Sequence, residues 1–207
     1  MQSNSNWSRP PLNHNSNMNK QAFINTTNAD NGIYIVYNDG SYEKFAPGMK
    51  QEGIKYVGII HDGHAFCVAL TDLGRFPLVK DTDNCPDESP LYVPCECDAL
   101  QAWDCVEQTK HIQEAGTDIP LADGEYIPAL PMVVLMRHYA KRGLNDALKF
   151  AGGQPLDMYS YCWSATEYSS NYAWYVDFGS GNVNGYGTKY GGNVVRPVAA
   201  FNLSRSE

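Results

Sequence analysis

Short apolar runs separated by turn-forming residues occupy positions 32–70, and this pattern is typical of antiparallel β-strands. One predicted hairpin spans 33–45, with Asn-Asp-Gly at 38–40 as its turn, and a second spans 56–70, with His-Asp-Gly-His at 61–64. The two histidines at 61 and 64 also have a spacing that some metal sites use. Because Asp-Gly between two apolar runs is typical of a hairpin tip, we favour exposed turn histidines over a metal site.

Apolar residues at helical spacing follow a Pro-containing stretch. The pattern predicts an amphipathic helix over 98–115, with Asp98 as its N-cap and Gly116 after its end. A second helix is predicted over 130–142 and a third, short one over 145–150. Strands, then helices, then strands indicate an α+β domain and not a parallel doubly wound sheet.

Residues 159–193 differ from the rest of the chain, because they hold seven of its fourteen tyrosines among Asn, Ser and Gly. Strand alternation places one set on the inner face and the other outward: Tyr172, Trp174, Val176 and Phe178 against Ala173, Tyr175 and Asp177. The same rule turns position 183 inward and positions 182 and 184 outward. A closing strand is predicted over 194–200, where Pro197 restricts it to an edge, an end or a bulge.

The mixture of Tyr, Ser, Gly and Asn resembles that of antibody loops, in which tyrosine gives a large contact area at low entropic cost. This composition indicates a surface that binds another macromolecule. Aromatic, glycine-rich strands also occur in ordinary β-proteins, so composition alone leaves both interpretations open.

Net charge and hydropathy narrow the classes of partner. The chain of 207 residues has a formal charge of −8, with no concentrated basic patch, which argues against nucleic acid and anionic lipid. We expect no membrane insertion and no usual export signal, since no apolar stretch has the length of a span or follows a basic start. Residues 1–31, with nine Asn, are expected to be a flexible or attachment arm.

Six cysteines leave three interpretations open, namely inert buried thiols, one disulfide, or a metal site. We favour the first, because paired Cys-x-x-Cys knuckles are lacking and only the Cys-Glu-Cys sequence at 95–97 comes near that spacing. No metal and no cofactor are expected.

Several short motifs resemble one known family, the variable proteins of diversity-generating retroelements. The motifs are Trp-Ser-Ala-Thr-Glu-Tyr-Ser-Ser at 163–170, Ala-Trp-Tyr-Val-Asp-Phe at 173–178, Gly-Asn-Val at 181–183 and Val-Arg-Pro-Val at 195–198. This family overlaps with domains related to the formylglycine-generating enzyme and to the phage major tropism determinant. The resemblance is strong over 155–201, weaker over 98–153, and not clear before that.

The resemblance implies a C-type-lectin-like fold over 32–207, with a small mixed or antiparallel sheet and two flanking helices, preceded by β-hairpins. It also implies that a reverse transcriptase that mutates adenines rewrites Asn-type codons in a variable segment at about 159–193. Trp163, Thr166, Glu167, Trp174, Phe178, Arg196 and Pro197 would be scaffold, with Arg196 and Glu167 as a candidate ion pair. Positions that carry residues compatible with such codons, expected to bind ligand, are Tyr168, Ser169, Asn171, Tyr172, Tyr175, Asp177, Ser180, Asn182, Asn184, Tyr186, Tyr190 and Asn193. Gly185 belongs to the same codon set.

The implied function is receptor recognition by a hypervariable protein on a phage tail or a cell surface, with a protein or glycan on a bacterial surface as ligand. The arm at 1–31 would attach the domain to a larger fibre or help it form a homotrimer.

One alternative is an oxidase like the formylglycine-generating enzyme, for which Cys162 is the candidate thiol. Catalysis is not expected, because no partner for that thiol stands out. A second alternative is a lectin-like adhesin domain that does not vary. Calcium-dependent sugar binding is disfavoured, since only Glu167 and Asp177 would supply carboxylates.

Overall fold

The computed structural model describes residues 30–203 and confirms the α+β class, with two β-sheets and few helices. The expectation of a flexible or attachment arm over 1–31 concerns residues that lie almost wholly outside this range. No helix in the described part of the chain combines the length and apolar character needed to cross a membrane.

The first sheet has six strands in the order β2-β1-β3-β4-β11-β6. In chain order these strands are β1 (Gly32–Tyr37), β2 (Tyr42–Lys44), β3 (Ile54–His61), β4 (His64–Val68), β6 (Glu125–Tyr126) and β11 (Val198–Ala200). Both expected hairpins are present, and His61 and His64 are register partners across the second turn. At that turn Asp62 and Gly63 have φ values of 47° and 81°, the left-handed conformation that Asp-Gly accepts in a tight hairpin.

The second sheet has five strands in the order β5-β10-β7-β8-β9. These strands are β5 (Arg75–Phe76), β7 (Tyr161–Glu167), β8 (Tyr172–Asp177), β9 (Val183–Thr188) and β10 (Asn193–Val194). The neighbouring pairs are antiparallel except β10 with β7, which is parallel, so the sheet is mixed. The strand β9 forms one edge of this sheet.

The helices are α1 (Glu96–Ala99), α2 (Cys105–Glu114), α3 (Leu130–Tyr139) and α4 (Asn145–Phe150). The single helix expected over 98–115 is divided, because Asp104 caps a new start with its carboxylate accepting from the Glu107 N–H at 3.2 Å. The helix α3 ends before the predicted position 142. A π-helical turn follows over Ala140–Leu144, and within it Arg142 (φ −113°) and Gly143 (φ 114°) leave helical geometry.

The largest core joins the two sheets. It contains Ile35 and Phe66 from the first sheet, Met136 from α3, and Trp174 and Val176 from the second sheet, all buried. A second core lies on the other face of β7 and β8, where Trp163, Ala165 and Ala173 pack with Ile112 of α2. The second sheet is therefore covered on both faces over much of its area, a point that alternation within one strand could not show.

The predicted strand over 194–200 is interrupted by Pro197, at the place where the chain passes from the second sheet to the first. Arg196 is buried in this passage. It donates to the carbonyls of Ala69 (3.1 Å) and Gln154 (3.0 Å) and lies 3.5 Å from the carboxylate of Asp72. The expected pairing of Arg196 with Glu167 is therefore wrong, because the guanidinium is bound by these two carbonyls and by Asp72 instead.

The two hairpins do not precede the lectin-like part as a separate unit. They share one sheet with β11, because Val198 pairs with Val68 of β4. The structure thus has two sheets, where the resemblance implied one small sheet preceded by β-hairpins, and the C-type-lectin-like assignment stays a prediction. All six cysteines are free thiols, four of them buried and Cys95 and Cys97 exposed.

Candidate functional site

The inner row expected along β8 is present at positions 174, 176 and 178, whereas Tyr172 is half-buried and Ala173, expected on the outer face, is buried. Trp174, Val176 and Phe178 are buried in the core between the sheets, and the Trp174 indole N–H donates to the carbonyl of Val93 at 2.8 Å. Position 183 packs partly against the same core, whereas Asn182 and Asn184 are exposed. This row of buried side chains fixes the strand that carries the candidate site.

Three tyrosines at one end of the β8–β9 hairpin form what we call the tyrosine cluster: Tyr168, Tyr172 and Tyr186. The ring centroid of Tyr186 lies 5.0 Å from that of Tyr168 and 6.1 Å from that of Tyr172. The hydroxyls of Tyr168 and Tyr186 are 3.4 Å apart, and this hydrogen bond raises the pKa of Tyr168 above its ordinary value. The Tyr168 phenol therefore stays neutral at physiological pH. Tyr186 is 66% exposed to solvent.

The tyrosine cluster rests on a rigid base. The Tyr168 ring lies against Trp174, with centroids 5.7 Å apart, and over Gly185, where an added Cβ would come within 2.7 Å of Tyr168 Cδ2. A glycine at 185 therefore permits this close approach of ring and strand. Because the base is packed, the rings lose little freedom when a ligand binds.

The loop 168–172 joins two rings of the tyrosine cluster, and between them it carries the neutral polar residues Ser169, Ser170 and Asn171. The Ser169 N–H donates to the Tyr172 carbonyl at 3.1 Å, and the side-chain amide of Asn171 donates to the Ser170 hydroxyl at 3.4 Å. These serine and asparagine groups are at least partly exposed and can exchange hydrogen bonds with a ligand.

A second group of expected site residues lies at the opposite end of the hairpin, in the turn at 177–182. The Asp177 carboxylate accepts from the Gly179 N–H at 2.8 Å and from the Ser180 hydroxyl at 2.7 Å. The hydrogen bond from Ser180 is the main reason why the pKa of Asp177 is lowered. Asp177 thus holds its own turn, and Asn182 donates its N–H to the Ser180 hydroxyl.

Tyr175 has a third environment. It is half-buried on the face opposite Trp174, with its ring centroid 5.4 Å from Tyr161 and 6.0 Å from Trp163. Gly187 lies beneath it, since a Cβ there would come within 2.7 Å of Tyr175 Cδ1. Asn184 is the register partner of Tyr175 on β9.

The structure therefore brings together only part of the expected set. Tyr190 follows β9 and is exposed, whereas Asn193 lies in β10 and pairs with Phe76 on the far side of the sheet. Five of the twelve expected positions share one continuous region, which is the tyrosine cluster with its loop. They are Tyr168, Ser169, Asn171, Tyr172 and Tyr186.

Beneath the loop 168–172 lies a buried charged group whose partners differ from the expected pairing of Glu167 with Arg196. Glu167, 1% exposed, is bound through one carboxylate oxygen by the ammonium group of Lys189, 0% exposed, and through the other by the His111 ring. The Lys189 N–H also donates to the Asn171 carbonyl at 3.0 Å. Lys189 is the only lysine among the residues 159–193, and that isolation was the available signal.

Cys162, the candidate thiol of an oxidase, lies in the main core. It is fully buried, and burial raises its pKa to about 12. Since a nucleophilic thiol reacts as the thiolate, this environment does not favour such chemistry.

The candidate metal pair at 61 and 64 is likewise engaged in packing. The His64 ring stacks on Trp103 with centroids 3.7 Å apart, and His61 Nδ1 lies 3.0 Å from the Tyr139 hydroxyl. Within residues 30–203, no group of three or more His, Cys, Asp or Glu side chains is placed to hold a metal ion.

Comparison with known proteins gives one likeness. No protein-family model matches the chain, and no curated protein matches it. A solved structure of a fimbrial protein from Bacteroides ovatus has a TM-score of 0.52 and 13% identity, over 84% of this chain and 49% of that protein. At this identity the likeness shows the fold alone, and the chain spans about half the length of the fimbrial protein.

Proposed function

We propose that this chain is a recognition domain that binds a macromolecule on a bacterial surface through the tyrosine cluster and the loop 168–172. The observation that carries the proposal is an exposed, neutral aromatic surface held on a packed base of Trp174 and Gly185. Tyrosines on a rigid support contribute contact area at little entropic cost, and this is how aromatic residues come to dominate recognition surfaces.

Display outside the cell is the setting that we propose for this domain. The fold shared with a fimbrial protein supports display on a cell surface, and a phage tail is the second setting. A C-type-lectin-like relationship of the second sheet, and attachment or trimer formation through residues 1–31, belong to the same proposal.

We further propose that a retroelement diversifies the segment at 159–193. Its support is the resemblance of the motifs at 163–170 and 195–198, together with the codon-compatible residues on the exposed cluster. Sequencing of the DNA downstream of the gene tests this part. An imperfect copy of the segment beside a reverse-transcriptase gene is expected, and a locus without either ends the diversification hypothesis while leaving the binding proposal intact.

The proposed role is binding and not catalysis. The tyrosine cluster contains no titratable pair set up for proton transfer at neutral pH, and the Cys162 thiol is enclosed in the core. The charged residues nearest in sequence to the tyrosine cluster, Glu167 and Lys189, are buried and bound to each other.

Binding of the labelled protein to a panel of intact Bacteroides strains tests the proposal. Tyr186→Ala is expected to reduce binding to a responsive strain at least tenfold, because a central exposed aromatic can contribute on the order of 2 kcal/mol. Its melting temperature should stay within about 3 °C of the parent, since Tyr186 is mostly exposed.

Tyr159→Ala is the matched control, because Tyr159 is 95% exposed and lies outside the tyrosine cluster. This variant should bind like the parent protein. Equal binding by Tyr186→Ala and the parent, or equal losses in both variants, would refute the assignment of binding to the tyrosine cluster.

A further inference from the structure

The continuous part of the candidate surface is small. The turn at 177–182 lies at the other end of the hairpin, and Tyr175 with Asn184 belongs to another cluster. The contact surface therefore comprises the loop 168–172, which contains two of the three rings, together with Tyr186. A standard protein–protein interface buries about 800 Å² on each partner and engages some 20–30 residues. A surface of this extent therefore fits a short ligand better than a folded protein.

The surface is also free of ionic groups. The loop 168–172 and Tyr186 contain only phenol, hydroxyl and amide side chains, and the adjoining charges of Glu167 and Lys189 are withdrawn from solvent and paired. The chain as a whole has a formal charge of −8, which disfavours anionic ligands at an unshielded surface.

The chemistry of the tyrosine cluster matches one class of ligand. A pyranose sugar has faces of C–H groups, which pack on aromatic rings, and a rim of hydroxyls, which exchange hydrogen bonds with amides, hydroxyls and phenols. The rings of Tyr168 and Tyr186 lie at 46° to each other with centroids 5.0 Å apart, and Tyr186 is 66% exposed. The side chains of Ser169, Ser170 and Asn171 supply both donors and acceptors at the border.

We infer that the tyrosine cluster binds a neutral oligosaccharide of hexose units without calcium. This inference rests on the proposed recognition function and names the ligand class of that same surface. Tyr186 is the principal stacking ring, Tyr168 and Tyr172 form the adjoining wall, and Asn171 bonds the sugar hydroxyls. Sialylated and other anionic glycans are disfavoured by the net negative charge.

The direct test uses the full chain with cellohexaose, maltohexaose and a mannose hexasaccharide as neutral probes and 3′-sialyllactose as the acidic comparator, each measured with calcium and again in EDTA. Saturation-transfer NMR and calorimetry are expected to detect binding of at least one neutral probe in the micromolar to millimolar range, and none of the acidic one. Tyr186→Ala should weaken binding at least tenfold, and Tyr159→Ala should leave it unchanged. Failure of all the neutral probes at millimolar concentration, loss of binding in EDTA, or equal binding by Tyr186→Ala overturns the inference.

Treatment of the responsive bacterial cells separates this inference from the recognition proposal. Periodate, which cleaves sugar diols, is expected to abolish binding of the protein, whereas protease treatment of the cells should leave it. If binding survives periodate, is lost after protease and still depends on Tyr186, the recognition proposal stands and the glycan inference fails. If Tyr186→Ala and the parent bind every strain equally, the recognition proposal itself fails.

Discussion

Glu167 directly precedes the loop 168–172, and its ion-pair partner Lys189 hydrogen-bonds Asn171 of that loop through the main chain. Its carboxylate is withdrawn from water and is bound by the ammonium group of Lys189 and the ring of His111. The main chain of Glu167 also accepts from the Val93 N–H at 2.8 Å, which ties the stretch before α1 to β7. A buried charge with its partners in place is tolerated, but the same charge without them is costly.

Replacement of Lys189 by Met should therefore lower the free energy of unfolding by about 3–5 kcal/mol, because it leaves the Glu167 carboxylate buried without its ammonium partner. Denaturant titration measures this loss. Lys80→Met is the matched control, since Lys80 pairs with Asp118 at 2.8 Å on the exposed surface, and its loss should cost less than about 1 kcal/mol.

A double variant, Glu167→Gln with Lys189→Met, shows whether the unpaired charge is the cause. It should recover much of the stability that Lys189→Met loses, because no buried ion is left. Similar stabilities of Lys189→Met and Lys80→Met would show instead that water reaches the Glu167 carboxylate.

For single residues, strand alternation is a local rule, and it placed Trp174, Val176 and Phe178 in the core as expected. The same rule only assigns Tyr175 to the other face. Whether that face is open depends on Trp163 and on α2, which are distant in sequence, and they leave Tyr175 half-buried. The choice of ion-pair partner is equally non-local, so the expected pairing of Glu167 with Arg196 was wrong.

Among the elements, the turn between β3 and β4 packs through its two histidines, His61 against the end of α3 and His64 against Trp103. The His64 ring is stacked on Trp103, and its Nδ1 is buried without a hydrogen-bond partner within residues 30–203. Burial, and then the neighbouring His61, lower the pKa of His64. Burial and then Arg142 likewise lower the pKa of His138, which lies near His61.

These shifts have a definite consequence for stability. A histidine with a lowered pKa in the folded state takes up its proton more readily when the chain is unfolded. Stability is therefore full above the ordinary histidine pKa of 6.5 and falls as the pH drops below it. Asp39 and Asp177 also have lowered pKa values, but they change the stability only below about pH 4, outside this window.

We expect the melting temperature to fall by several degrees between pH 7 and pH 5. His64→Phe keeps an aromatic ring on Trp103 and removes the titrating group, so its melting temperature should change less over the same interval. Thermal melts of both proteins in matched buffers measure the difference. Parallel pH profiles for His64→Phe and the parent would exclude His64 as a source of the acid sensitivity.

Element boundaries show where sequence patterns suffice. Both hairpins and the helix α4 follow from turn residues and spacing within a few positions. Sequence patterns do not predict the division of the helix expected over 98–115, which depends on the new N-cap at Asp104. They also do not predict that β11 belongs to the first sheet, because its partner strand β4 is distant in sequence. Local patterns thus predicted the elements better than their assembly into two sheets.

For the whole molecule, the main core decides whether the two sheets behave as one unit. Val57 and Phe66 of the first sheet are buried in the same cluster as Cys162 and Val176 of the second, with Met136 of α3 in the same core. Burial of apolar area shared in this way couples the stability of both sheets.

Phe66→Leu tests this coupling, since it removes buried volume on the first sheet alone. Hydrogen exchange under native conditions should show the amides of Val57 and Val176 losing the same protection, by about 1–2 kcal/mol, because both exchange through global unfolding. Glu43→Gln, an exposed change on β2, should alter neither. A loss confined to Val57 would mean that the sheets open independently, and the tyrosine cluster would then rest on the second sheet alone.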